Sequence, residues 1–265
     1  MYSKLQLAKK YLHYLFTASN GSGHGIHSPF VYDFIKNVLR DKEQYACYKP
    51  IELVRKKLYE NEQVIEVQDQ GAGSAVIKTT RRAVKDIAHT SLKSKRYAQL
   101  LFRIAKRYSP RTIIELGTSL GITTSYLAST SPPVTVYTLE GATTIASIAS
   151  AIFIEQGFNN IVLTTGDFDS TMPAILSRIQ EVDMAFIDGN HRKEPTLRYF
   201  NQLKAYSTNS TIMIFDDIHW SSEMEEAWSL IKADPAVTLS IDLFFLGLIF
   251  FRKDFKSTQH FTIRF

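Results

Sequence analysis

From Thr112 onward, short runs rich in β-branched and aromatic residues alternate with longer helix-like runs, and this rhythm leaves few folds open. The strand candidates are residues 112–116, 134–139, 160–163, 183–187 and 211–215. The helix-like runs are residues 122–130, 143–156, 172–180, 194–206 and 222–232. Strands separated by helices of this length build βαβ units, and right-handed crossovers then give a parallel sheet. The rhythm ends differently. Residues 237–244 and 248–252 are separated only by a turn at Leu246-Gly247, too short for a parallel crossover, so an antiparallel hairpin is expected there.

The part before Thr112 reads otherwise. Leu5, Ala8, Leu12 and Leu15 recur at three- and four-residue spacing, which predicts a helix with that stripe as its apolar face. Asn20-Gly-Ser-Gly-His-Gly25 breaks it, and Ser28-Pro29 restarts a helix with a capping residue followed by proline at the first helical position. His24 and His27 sit in that break without a Cys or acid beside them, so they read as loop residues. The expected organisation is a helical extension over 1–60, a linker or flap with a basic helix over 61–94, and the main domain over 95–265. With 265 residues, 45% of them hydrophobic, the chain can bury a core large enough to frame a pocket.

Charge and cysteine usage narrow the setting. The formal charge is +5, and between Lys78 and Arg107 the only acid is Asp86. Such a run can face nucleic acid or an anionic substrate, although a solvated helix face is the simpler account. The lone Cys47 rules out an intrachain disulfide and suits a reducing compartment. The N-terminus lacks the apolar stretch of a signal peptide. The longest apolar run, 241–251, contains Asp242 and is far shorter than a bilayer span. A cytoplasmic location without membrane association is expected.

Two stretches compete as a nucleotide loop. Gly71-Ala72-Gly73-Ser74 follows an apolar run, but no strand and no carboxylate lie about 20 residues further on, where a ribose-binding acid belongs. That loop is expected to be a turn or hairpin in the linker, or a flap near the active site. The stretch beginning at Thr112 meets every requirement: the run TIIEL, Gly117 and Gly121, a helix from Ile122, and Glu140 at the end of the next strand, nineteen positions after Gly121. Its glycines are spaced Gly-x-x-x-Gly and Glu115 stands just before them. A carboxylate there repels a pyrophosphate and attracts an ammonium, while the helix N-terminus at Ile122 and Thr123 suits a carboxylate. S-adenosylmethionine carries both groups on its methionine end.

On these residues the chain resembles the class I S-adenosylmethionine-dependent methyltransferases over about Lys95 to Arg252. Within them it is similar to the catechol and caffeoyl-coenzyme A O-methyltransferases, and its HGIHSPF and DDIHWSSEMEEAW stretches look like an uncharacterised bacterial family. The resemblance implies an α/β, Rossmann-like sheet of parallel strands with a C-terminal antiparallel hairpin, helices on both faces and a helical N-terminal extension. It also implies cofactor contacts from Glu115, Gly117, Thr118, Ser119, Gly121 and Thr123. Glu140 would hold the ribose, Asp167 with Phe168 the adenine, and Asp188 would lie beside the cofactor.

Methyl transfer to oxygen needs an aligned nucleophile and a route for its proton. The resemblance places three divalent-cation ligands at Asp188, Asp216 and Asp217, with Mg²⁺ the natural candidate, and puts His191 where those enzymes carry a lysine base. Asp217 stands where they have Asn. Asp188 and His191 are thus the expected catalytic pair, and His219 is a further candidate ligand. Trp228 reads as core, and Trp220 either as a wall of the substrate pocket or as simple packing. The expected partner is a small-molecule methyl acceptor, and a homodimer is compatible with the sequence. An RNA methyltransferase and a non-catalytic cofactor-binding protein on the same scaffold are the alternatives.

Overall fold

The computed structural model of the chain describes residues 1–19, 21, 23, 27–67, 81–130 and 134–265. In chain order its elements are α1 (Lys4–Thr17), α2 (Pro29–Phe34), a π-helical turn (Ile35–Leu39), α3 (Tyr48–Glu60), β1 (Val64–Glu66), β2 (Arg81–Ala83), α4 (Val84–Ser91), α5 (Lys95–Tyr108), β3 (Thr112–Leu116) and α6 (Ile122–Ala128). Then follow β4 (Thr135–Glu140), α7 (Thr143–Glu155), β5 (Ile161–Thr165), α8 (Phe168–Leu176), β6 (Val182–Ile187), α9 (Lys193–Lys204), β7 (Ser207–Asp216), α10 (Ser222–Lys232), β8 (Leu239–Asp242), β9 (Leu246–Phe250) and β10 (Gln259–Thr262). The alternation expected after Thr112 is therefore present. Two compact units form: Lys42–Ile179, and Met1–Asp41 together with Gln180–Phe265.

In the unit 42–179, β3, β4 and β5 run parallel, with Glu115 opposite Thr138 and Glu140 opposite Thr165. Buried residues of α3, α4 and α5 share one apolar core with Leu120, Ile122 and Tyr126. β1 and β2 pair antiparallel, Ile65 opposite Arg82. These two strands flank the Gly71–Ser74 loop in sequence, and the loop itself lies outside the described residues.

The other unit carries the strand order β10-β8-β9-β7-β6. β6 and β7 are parallel, β9 runs antiparallel to both β7 and β8, and β10 lies parallel to β8. The expected hairpin is thus present, but its turn is not where the sequence put it. The chain reverses over Leu243-Phe244-Phe245, with Phe244 at φ 70°, and Leu246 and Gly247 belong to β9. A glycine is needed there for space: a Cβ on Gly247 would lie 2.7 to 2.9 Å from atoms of the Trp228 ring. Trp228 is core, as expected. The strand β10 has no counterpart in the sequence reading.

α1 forms as expected, opened by a capping box between Ser3 and Gln6, but it turns the other way. Leu5 and Leu12 are 67% and 53% exposed. The buried face is Tyr14 and Ala18 with Leu7, Tyr11 and Leu15, packed on Phe244 and Phe245. Tyr11 and Tyr14 lie 5.0 and 5.3 Å from the Phe244 ring, and aromatic area outweighs the leucine stripe. Ser28 precedes α2 with Pro29 at its first position, although the Ser28 side chain makes no capping bond. Among the described residues no helix is long and apolar enough to cross a membrane.

Candidate active site

The loop after β3 is fixed mostly by the main chain. Gly117 and Thr118 donate their N–H groups to the Leu139 carbonyl, at 2.9 and 3.1 Å. Gly117, Ser119 and Gly121 all have positive φ, at 102°, 48° and 79°, so the chain turns tightly before α6 begins. A Cβ on Gly121 would lie 2.6 Å from the Phe153 ring, which leaves glycine as the residue that fits both the angle and the space. Thr123 is buried in the first turn of α6. Glu140 ties this loop to the next one: Oε2 accepts from the Ser119 N–H at 2.8 Å and Oε1 from the Ala142 N–H at 2.9 Å. Both carboxylate oxygens of Glu140 are thus turned toward main-chain donors of the two loops.

Glu115 lies beneath the loop, 0% exposed. Its Oε2 accepts from the Thr124 hydroxyl at 2.5 Å and the Thr138 hydroxyl at 2.7 Å. Oε1 is buried with no hydrogen-bond partner among the described residues. Burial raises its pKa to about 7, against the two hydroxyl bonds that lower it, and the nearby Glu140 adds to the rise. Thr124 and Thr138 were not singled out from sequence. Thr138 carried a signal, a polar residue in an otherwise apolar strand end, directly opposite Glu115 in the pairing.

Asp167 caps α8, its side chain accepting from the Asp169 N–H at 3.0 Å, and Phe168 opens the helix half-buried. This places the Asp167-Phe168 turn directly after β5.

In the other unit, Asp188 follows β6 and Asp216 ends β7. Asn190, at φ 55°, turns the chain after Asp188, and His191 Nε2 lies 3.6 Å from Asp188 Oδ1. Asp188, His191 and Asp216 each offer a ligand atom within 4.8 Å of the others, with Asp216 only 1% exposed. Of the three expected ligands, Asp188 and Asp216 come together here. Asp217 is not in the group: it adopts a left-handed turn, φ 52°, and its N–H donates to the Phe245 carbonyl at 2.7 Å. His191, expected as a base, is the third member of the group.

His219, a further candidate ligand from the sequence, is not in that group. Its Nδ1 lies 3.0 Å from Glu225 and its Nε2 2.9 Å from Asp242, so both ring nitrogens are engaged away from the cluster. Burial lowers the His219 pKa, but its hydrogen bonds and charge interactions with Asp242 and Glu225 outweigh this and leave it raised. Lys10 and Tyr2 also bond Glu225, at 2.9 and 2.7 Å, which joins α1 to α10. Trp220 is half-buried beside Asp217, and its carbonyl accepts from the Tyr2 N–H. Sequence spacing gives no hint of this network, because its members come from four separate elements.

Three members of the basic run have defined settings among the described residues. Lys85 pairs with Glu62 at 2.8 Å, Arg103 is buried in α5, and Lys106 sits over the Tyr45 ring.

Residues 114–218, about two fifths of the chain, match the family described as "Methyltransferase domain". Over this stretch the chain is similar to a methyltransferase domain. The match runs from within β3 to just past β7, so the Gly117–Gly121 loop, Glu140, Asp167, Asp188, His191 and Asp216 all fall inside it. A comparison with curated proteins finds no match. Among solved structures, the methyltransferase is similar to an O-methyltransferase from Bacillus cereus in complex with SAH, at 20% identity and TM-score 0.56, covering 83% of this chain and 97% of that one. The O-methyltransferase TomG from Streptomyces achromogenes, involved in Tomaymycin synthesis and in complex with SAM, is 16% identical with TM-score 0.57, covering 84% and 96%. The SAH-bound Podospora anserina methyltransferase PaMTH1 is 11% identical with TM-score 0.57, covering 96% and 98%. At these identities the likeness establishes the fold, a Rossmann-like α/β arrangement of mostly parallel strands.

Proposed function

We propose that this methyltransferase moves the methyl group of S-adenosylmethionine to a hydroxyl oxygen of a small molecule. The observation that carries the reading is the grouping of Asp188, His191 and Asp216 after two neighbouring parallel strands, within the stretch that matches the methyltransferase family. Oxygen transfer needs a group that takes a proton, and this trio supplies one.

The cradle residues fit the cofactor. Glu140, at the end of β4 beside the loop, is the carboxylate proposed to hold the ribose hydroxyls, and the α6 N-terminus favours the cofactor's carboxylate. Glu115 Oε1 is a buried acceptor suited to a cationic group. Thr118, Ser119, Gly117 and Gly121 shape the loop, and the Asp167-Phe168 turn lies after β5, where the adenine would be read. Asp188 remains the residue proposed to serve both cofactor and acceptor.

The trio also fits a divalent cation: the two carboxylates suit Mg²⁺ or Mn²⁺, and the imidazole favours a transition-metal ion over Mg²⁺. Such an ion, when bound, would lower the pKa of an acceptor hydroxyl. The chain's own residues can do this work as well. His191 can receive the hydroxyl proton near neutral pH, and Asp188 beside it stabilises the imidazolium that results. The acceptor oxygen then attacks the methyl carbon as the sulfonium leaves.

The reading is tested by titrating the protein with S-adenosylhomocysteine, the demethylated cofactor. Binding is expected, weakened more than tenfold in Glu140→Ala, an effect in the range of lost charge-assisted hydrogen bonds. No binding overturns the reading. Turnover of a hydroxyl-bearing acceptor panel then decides the chemistry: loss with EDTA and recovery with Mg²⁺ assign the trio as ligands, and indifference to EDTA with loss in His191→Ala assigns the base. A homodimer and a cytoplasmic setting are compatible with this activity and belong to the same proposal.

A further inference from the structure

The crest of the Gly117–Gly121 loop is held partly from outside the cradle. Ser119 has a Cβ yet stands at φ 48°, a conformation such a residue keeps only when its surroundings fix it. One hold is the bond from its N–H to Glu140. The second is from Ser119 Oγ to Ser91 Oγ at 2.9 Å, and Ser91 is the last residue of α4, in the segment before the methyltransferase match.

The direction of that second bond follows from hydroxyl chemistry. Ser91 Oγ donates to the Ile87 carbonyl at 2.8 Å, and a hydroxyl has only one proton. Ser119 must therefore donate to Ser91, which fixes its hydroxyl proton and leaves its lone pairs for other donors. Ser91 is itself well anchored. Val84, Ile87 and Ala88 of α4 are buried in the core that contains Leu120 and Ile122. His89 stacks on Tyr59 at 4.4 Å, and just beyond α4 the Lys93 carbonyl accepts from Arg55 Nη1 at 2.7 Å. Arg55 in turn pairs with Glu52, which accepts from the Tyr126 hydroxyl of α6 at 2.9 Å. The same segment also meets the following loop, where Thr144 donates to the Glu66 carbonyl.

We propose that Ser91 is a positioning residue for the cofactor: its hydroxyl holds Ser119 in the left-handed crest and thereby sets the affinity of the Gly117–Gly121 loop for S-adenosylmethionine. This rests on the reading of that loop as the cofactor cradle.

Calorimetry with S-adenosylhomocysteine on the full chain tests it. Ser91→Ala should bind about five- to tenfold more weakly, the range of one hydrogen bond, with an unchanged melting temperature, and Ser91→Thr should restore binding. In a Ser119→Gly background, where the crest angle is free of strain, Ser91→Ala should have no further effect. Amide exchange of residues 117–121 in the ligand-free protein should quicken in Ser91→Ala and not in Ser91→Thr. Unchanged affinity and exchange in Ser91→Ala overturn the proposal, as does an affinity loss that Ser91→Thr fails to restore. If the wild type binds no S-adenosylhomocysteine, the proposed function falls, and the exchange comparison alone decides whether Ser91 holds the crest.

Discussion

The cradle after β3 and β4 and the cluster after β6 and β7 both stand at the carboxyl ends of parallel strands, yet they are built from different material. In the cradle, Glu140 accepts from main-chain N–H groups, and Glu115 is locked under hydroxyls of the neighbouring strand and helix. In the cluster, Asp188 faces the His191 imidazole at 3.6 Å, side chain to side chain. A site that recognises one constant ligand gains from groups that cannot rearrange. A site that moves a proton needs groups that titrate within reach of each other. Under the proposed function, this contrast is one between recognition and chemistry along one chain.

If the cradle is backbone-built, its largest sensitivity should be to a methyl group. Gly121→Ala combines a positive φ with a Cβ 2.6 Å from the Phe153 ring, and a loss of about 4 kcal/mol in stability is expected from strain plus overpacking. Gly157→Ala shares the positive φ but meets nothing within 4 Å, so it should cost only about 1 kcal/mol. Thermal melts of both give the comparison, and equal losses would break the argument that close packing shapes the cradle.

The second effect has the opposite sign. Glu115 has a folded pKa raised to about 7 from 4.5, so the folded state binds its proton more tightly than the unfolded one. Its cost to stability is absent below about pH 4.5, grows as pH rises, and is complete above about 7. Glu115→Gln should therefore stabilise the protein at pH 8, by up to roughly 3 kcal/mol, and bring almost no gain at pH 4.5. Denaturant titrations at the two pH values check this. A gain independent of pH would mean that burial of charge is not what the position costs.

The smallest effect lies in the other unit. The His219 pKa is raised despite burial, because Asp242 and Glu225 favour the imidazolium. Its stabilisation is fully present below the unfolded value near 6.5 and is lost as pH rises through the folded one. His219→Gln should cost about 1 to 2 kcal/mol near pH 6 and clearly less at pH 9, by chemical denaturation. A cost that does not change with pH would assign His219 a packing role only.

The two sites were unequally legible in the sequence. The cradle could be read because its parts obey spacing: Gly117, Gly121 and Glu140 follow from the length of a strand, a helix and the next strand. The strands and helices after Thr112 were readable for the same reason. The cluster was half readable. Asp188 and Asp216 end strands, but a left-handed turn removes Asp217, and a turn at Asn190 brings in His191; neither angle is encoded by residue type alone. The stripe on α1 misled because leucines at helical spacing compete with tyrosines that find aromatic partners over two hundred residues away. The hairpin turn was misplaced because Gly247 suggests a turn, whereas its missing side chain makes room for Trp228. Ser91 could not be found at all, since its partner is 28 positions away and serine at a helix end is unremarkable.

The strand β10 has a consequence for handling the protein. β8 is buried at every position, and without a neighbour on its outer side it would present unpaired N–H and C=O groups along an apolar ribbon, a template for other chains. β10 takes that place in parallel register, Phe261 opposite Ile241. Its own burial alternates, so the rim it leaves is half polar and short. Shortening the chain ahead of Gln259 would convert a finished rim into an adhesive one, and precipitation, rather than lost catalysis, would be the first sign.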